Sequence, residues 1–338
     1  MPKTCNAKLA EAAAFADSDK PKPHRRDFVR MAAALLPLDG AADTASIPII
    51  DTHIHLFDPS RPQGVPWPPK DDPVLYKPAL PSRFKKLTES LGVVGAIEIE
   101  ASPWLEDNQW VLDVAAKSPL IVGTVGNLEP GKPEFRSHFE RFHKNPLFRG
   151  IRCGNLWNRD LGKRLSEPAF ISDLKILADA NLELDTANPD PALIDAVVRL
   201  TDKIPNLRVV IDHLPHLELP FERVALNRYQ ENLHRLGSRP QVYVKISEVL
   251  QRINGKVSLD LNTYRPVLDQ LWDVFGEDRV LYGSDWPNSD PWGTYAQVLG
   301  LVQRYFSKKG RTAAGKFFWK NSVAAYRWTR RDASQPAT

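Results

Sequence analysis

Four side chains are the best candidates for chemistry in this sequence: His53, His55, His213 and Asp285. His53 and His55 lie two apart in Asp51-Thr52-His53-Ile54-His55, which ends the first apolar run. Residues two apart on a strand point the same way, so both imidazoles face one side, where they can hold a metal or a substrate anion. Taken alone, the tripeptide describes two satisfied core histidines equally well. His213 closes Val209-Val210-Ile211-Asp212-His213, and Asp285 closes Val280-Leu281-Tyr282-Gly283-Ser284-Asp285. Three run ends from distant segments, each carrying ionisable groups, are hard to attribute to chance.

These groups need a frame, and a regular one begins after residue 46. Eight β-branched or aliphatic runs recur: Ile47 to His53, Val93 to Glu100, Leu120 to Gly126, Phe148 to Cys153, Asn181 to Thr186, Leu207 to His213, Gln241 to Ser247 and Arg279 to Asp285. Segments of helical period fall between them, for example Trp104 to Lys117, Glu167 to Ala180, Ala192 to Lys203 and Tyr264 to Phe275. The spacing leaves room for the crossover helix that parallel neighbours require. Eight βα units favour a closed α/β (β/α)8 TIM barrel over an open sheet. An open sheet would usually carry a Gly-rich phosphate turn after its first strand, where this chain has Asp-Thr-His-Ile-His. A barrel places its catalytic groups at the C-terminal strand ends, where the four candidates fall. The first connection, Phe57 to Pro81, carries eight prolines together with Trp67 and Tyr76. Loops of this length in compact domains are commonly functional, and this one is expected to form an ordered lid over the barrel mouth.

Composition limits the partners. The 338 residues are 42% hydrophobic and 25% charged, with a formal net charge of +4, which is ordinary for one globular domain. No long Lys/Arg run marks a nucleic-acid surface, and no apolar run approaches the ~18 residues a membrane span needs. The expected partner is a small-molecule substrate; the sequence gives no oligomeric state. Cys5 and Cys153 are the only cysteines, so the barrel has no internal disulfide and no zinc-type Cys pair. Residues 1–46 read as a leader or disordered segment. Within it, His24-Arg25-Arg26-Asp27-Phe28-Val29-Arg30 precedes the apolar Met31 to Leu36, an order that resembles a twin-arginine export signal and implies a periplasmic location. Pro37 and Asp39 cut the apolar stretch short, which leaves a cytoplasmic tail with a chance Arg pair as the alternative.

His53-x-His55, Ile-Asp-His213 and Gly-Ser-Asp285-Trp-Pro together resemble the amidohydrolase superfamily. Phe148-Arg149-Gly150-Ile151-Arg152 and Tyr243-Val244-Lys245-Ile246-Ser247 are similar to its amidohydrolase-related branch, which holds sugar lactonases and the pyrone-dicarboxylate lactonase. The resemblance covers residues 47 to about 328, followed by a tail at 329–338. Superfamily members with two metals bridge them by a Lys or Glu on strand four and add a His on strand five. Here those strands end in Arg152-Cys153-Gly154 and Asp185-Thr186-Ala187, with Asp185 the one conceivable substitute. The resemblance therefore implies at most one divalent ion, zinc or manganese, on His53, His55, His213 and Asp285, and some lactonases of the branch work without metal.

On that resemblance Asp285 is the expected general base and His213 polarises the carbonyl. The other imidazoles hold a metal or donate to the oxyanion. Arg152, Lys245 and Glu100 are the expected substrate contacts. Arg149, three residues from Arg152 on the same strand, points to the opposite side and is expected in a salt bridge among the outer helices. Lys245 shares a face with Tyr243 and Ser247, near the mouth. Glu98 and Glu100 end strand two on one face, where burying acids is costly unless they serve a site. The leading function is hydrolysis of a sugar-derived or dicarboxylate lactone. The alternatives are a single-metal decarboxylase of an aromatic or unsaturated acid, against which the missing strand-five His speaks, and a catalytically idle binding barrel.

Overall fold

A computed structural model describes residues 47–338 except Asn254; the leader and its export motif lie outside the described residues. Eight parallel strands pair in chain order: β1 (Ile49–Ile54), β2 (Val93–Ile99), β3 (Ile121–Gly126), β4 (Phe148–Arg152), β5 (Glu183–Asp185), β6 (Arg208–Ile211), β7 (Val242–Ile246) and β8 (Val280–Tyr282). Just beyond β8, the chain closes back on β1: His55 N–H donates to Trp286 O at 2.8 Å and Asp285 N–H to His53 O at 2.9 Å. Helices α1 (Pro81–Thr88), α2 (Leu105–Ala116), α3 (Phe135–Phe142), α4 (Leu161–Arg164), α5 (Pro168–Asp179), α6 (Pro191–Lys203), α7 (Arg223–Gly237), α8 (Leu261–Phe275) and α9 (Tyr295–Phe306) fill the crossovers. This is the (β/α)8 barrel the alternation implied.

Local chemistry explains where the helices start. Asp190 accepts from Leu193 N–H at 2.7 Å with Pro191 in the first turn of α6, and Thr294 and Gln297 form a capping box on α9. Such caps satisfy donors that a helix start leaves open. Most apolar side chains lie in one layer between strands and helices. A smaller cluster takes Ile50, Ile97, Val122, Val210, Tyr243 and Leu281 from six different strands and packs them with Tyr326 and Trp328, filling the barrel interior as a core. The segment after Trp328 is held down. Arg331 donates to the carbonyls of Ala115, Ser118 and Ile121, and Gln335 to those of Val94 and Pro119. No described helix is long and apolar enough to cross a membrane.

Candidate active site

Backbone irregularities aim the imidazoles. Ile49 packs toward the helices and Ile50 into the barrel, and the pairing of β1 with β2 then slips between Asp51 and Ile54. After the slip His53 and His55 share the interior side. Asp51 serves the wall instead, accepting from Tyr295 Oη at 2.9 Å and from Ser284 N–H at 2.9 Å. Gly283 lets the last strand approach: a Cβ there would meet His53 Cβ at 2.8 Å. Asp285 follows with φ 62°, and His213, just past β6, has φ 54°. Strand alternation from Val210 puts Asp212 inside, and the left-handed turn at His213 swings its imidazole into the mouth as well. Non-glycine residues held in this region cost energy and cluster at functional sites.

The resulting contacts leave acceptors facing one another. His55 Nδ1 lies 2.8 Å from the carbonyl of Ile99, which can only accept, so Nδ1 carries the hydrogen and the neutral ring's Nε2 is an acceptor. That Nε2 faces Asp285 Oδ1 at 3.1 Å, a contact that requires a shared proton or a cation. Burial pushes Asp285 up to about 7 and His55 down to about 4, so the carboxyl is the better keeper of the proton. His53 Nε2 lies 3.3 Å from the same oxygen but is not aligned for a hydrogen bond and has no other partner. His213 Nδ1 meets Ser247 Oγ at 2.8 Å. Burial pushes both His53 and His213 well below the usual imidazole range, and neutral imidazoles are the metal-binding form.

His53, His213 and Asp285 each bring a ligand atom within 4.8 Å of the others, the one such group among the described residues. An orphaned imidazole nitrogen beside a carboxylate fits a single divalent ion. His55 belongs to the expected set but stands outside this mutual group: its Nε2 meets Asp285, and its ring lies edge-on to His53 at 5.0 Å. Asp185, the conceivable strand-five substitute, is occupied elsewhere: it pairs with Lys245 Nζ at 2.5 Å and accepts from Tyr326 Oη at 2.9 Å.

Two cations stand among the imidazoles. Arg152 Nη2 lies 3.2 Å from Asp212 Oδ2 and 3.3 Å from His213 Nε2. Lys245 Nζ lies 3.0 Å from Asp212 Oδ1 and 3.3 Å from His53 Nδ1. Burial alone would favour neutral Lys245, but Asp185 and Asp212 outweigh it and raise its pKa. Lys245 is wholly enclosed and does not line the open cleft. Arg149 has no acidic partner among the described residues, so the salt bridge expected of it does not form: its guanidinium is half-buried and its Nε is unpaired.

Above these groups opens a cleft of about 160 Å³ lined by His55, Trp67, Glu100, Arg152, Trp157 and Asn288, among others. The proline-rich loop forms one side. Trp67 stands edge-on to His55 at 5.7 Å, and Arg61 pins the loop to Asp107 at 2.8 Å. Glu100 accepts from Ser102 N–H at 3.0 Å and from Trp157 Nε1 at 3.1 Å. Glu98 lines a neighbouring cavity beneath the same loop that shares Trp67 and Glu100 with the cleft, and burial drives its carboxyl well above the usual range.

Sequence reasoning did not assign Asp212, Glu248, Asn288 or Trp157. Asn288 Nδ2 joins Asp285 Oδ2 at 2.7 Å to Glu248 Oε1 at 3.0 Å. Asp212 carries a readable signal in the sequence, since it keeps alternation with Val210 beside the more conspicuous His213.

A barrel whose imidazoles and carboxylate converge at the C-terminal strand ends is a barrel hydrolase in its architecture. The chain belongs to the amidohydrolase family, whose pattern matches residues 50–328. It is 26% identical over 297 residues to an L-fucono-1,5-lactonase of Burkholderia ambifaria, covering 85% of this chain and 98% of that one. A second L-fucono-1,5-lactonase, from Burkholderia multivorans, is 24% identical over 81% of this chain and 94% of its own. Among solved structures, an amidohydrolase from Burkholderia multivorans with bound zinc superposes with a TM-score of 0.71 at 21% identity, covering 83% of this chain and 99% of that one.

Proposed function

We propose that this chain hydrolyses the ring ester of a neutral, polyhydroxylated lactone. The observation that carries the reading is Asp285, whose carboxyl faces the imidazole acceptors beside the cleft and is pushed by burial to about 7. A group poised there takes a proton from water and returns it to the leaving alkoxide. Arg152 is the candidate to polarise the ester carbonyl and stabilise its developing negative charge; neutral His213 accepts from Arg152 Nη2 at 3.3 Å through Nε2 and turns its Nδ1 to Ser247 Oγ, so it positions the guanidinium. Bound through His53, His213 and Asp285, a divalent ion would supply Lewis-acid polarisation and a more acidic water.

Neutrality of the substrate follows from charge. Arg152 is the sole Lys or Arg among the cleft-lining residues and already pairs with Asp212, while Glu100 adds an acid to the wall. A dicarboxylate finds no free cation there. The curated relatives named above are sugar lactonases. The decarboxylase alternative has no strand-five histidine to lean on, since Asp185 is committed to Lys245 and Tyr326. The discriminating assay offers the purified protein, with and without chelator, L-fucono-1,5-lactone, 2-pyrone-4,6-dicarboxylate and 2,6-dihydroxybenzoate. Proton release from the first alone is expected; carbon dioxide from the third would contradict the reading.

A further inference from the structure

The loop after β4 holds an indole against an acid in the cleft wall by means that core packing does not require. Trp157 is only half-buried, so its ring is not there to fill the core. It and Asn158 sit consecutively in the left-handed region, φ 56° and 60°, a conformation that costs energy for residues with a Cβ. The segment is fastened on both sides. Asn155 Nδ2 donates to Asn188 O at 3.3 Å, Asn188 Nδ2 returns to Asn155 O at 2.9 Å, and Arg159 Nη1 reaches Arg152 O at 3.4 Å. Held this way, Trp157 Nε1 lies 3.1 Å from each oxygen of Glu100, and Ser102 N–H fixes Oε2 at 3.0 Å. A carboxylate offers about four acceptor directions, and these two donors leave capacity on Oε1 for another. Trp157, Glu100 and His55 line the same cleft.

We propose that Trp157 and Glu100 act as one hydroxyl-reading unit: the indole N–H sets the carboxylate's orientation, Glu100 accepts from ring hydroxyls of the substrate, and the indole face packs on ring C–H groups. Trp157 is thus a positioning residue for recognition, and the pair sets specificity for polyhydroxylated six-membered rings. The inference rests on the lactone reading but is tested by binding, independently of turnover. A site built to pair with hydroxyls strongly rejects the analogue that lacks them.

The probes are D-glucono-1,5-lactam and 2-piperidinone, hydrolysis-resistant rings that differ in the hydroxyl and hydroxymethyl substituents. Calorimetry on the full chain is expected to show the wild type favouring the hydroxylated lactam by about tenfold or more, the loss of roughly one well-placed hydrogen bond. Trp157→Phe and Glu100→Gln each erase most of that preference while leaving 2-piperidinone affinity within about twofold, and the double variant loses no more than the worse single one, because the two act as a unit. An unchanged preference in either variant, a wild type with no preference, or equal weakening of both ligands would overturn the proposal. Selective lactam binding by a chain that opens no lactone would sink the hydrolytic reading and leave the recognition unit standing.

Discussion

Asp212 bridges the two buried cations, and each cation in turn touches an imidazole: Arg152 meets His213 and Lys245 meets His53. Removing one member of such a network strands the others, which typically costs about 3–5 kcal/mol. Lys245→Met leaves Asp185 and Asp212 facing each other without their ammonium, so a urea titration should show a loss of that size. A variant as stable as the parent would mean that the carboxylates take up protons and need no cation. With Asp285 as the proposed base, its titration should set the pH response. Its protonated form cannot accept a proton from water, so in chelator-treated protein activity should rise with pH through about 7 and disappear on acidification. Glu248, raised to about 8 chiefly by burial and then by Asp285, is linked to Asp285 through Asn288, so the observed limb belongs to the pair and not to one residue. Activity flat from pH 5 to pH 8 would remove Asp285 from the role of base.

At the scale of elements, the site depends on how closely β1 and β8 approach. Gly283→Ala drives a methyl into His53 Cβ at 2.8 Å, and overpacking of this kind costs about 1–3 kcal/mol. The expected outcome is a lowered melting temperature, with kcat reduced more than KM is raised because His53 moves relative to Asp285. An alanine variant with native turnover would show that the strands yield freely. The eight strands were legible because β-branched and aliphatic residues recur in their runs, as expected of parallel strands covered on both faces; seven of the eight observed strands fall within their expected runs, and β1 runs one residue further, to Ile54. Trp67 and the proline-rich loop were legible too, since a stiff loop bearing an indole has to bury it. What alternation could not supply was the slip in β1 and the left-handed turns at His213 and Asp285. Those depend on how neighbouring strand ends meet, and period-two reasoning carries no information about that. Lys245 shows the same limit at depth: its face was legible, but the Asp185 and Asp212 that enclose it come from β5 and the end of β6, far away in sequence.

Across the whole molecule, the two ends of the barrel do different work. Strand carboxyl ends carry the acids and imidazoles, while Tyr326 and Trp328 fill the interior and the last ten residues strap the outside. Arg331 alone serves four carbonyls, those of Ala115, Ala116, Ser118 and Ile121. Ending the chain after Trp328 exposes these acceptors and those that Gln335 serves, and at about 0.5–1.5 kcal/mol per hydrogen bond the truncated protein should lose several kcal/mol in denaturant. Unchanged stability would mean that water replaces the strap at no cost.

The proposed role of Asp285, moving the proton as a lactone ring opens, can be read from acid release on L-fucono-1,5-lactone by wild-type and Asp285→Asn protein of matching circular dichroism. Asp285→Asn should lower kcat by about 10²- to 10⁴-fold, the contribution of a positioned acid–base group. An asparagine variant that retains turnover within a fewfold of wild type would contradict that role.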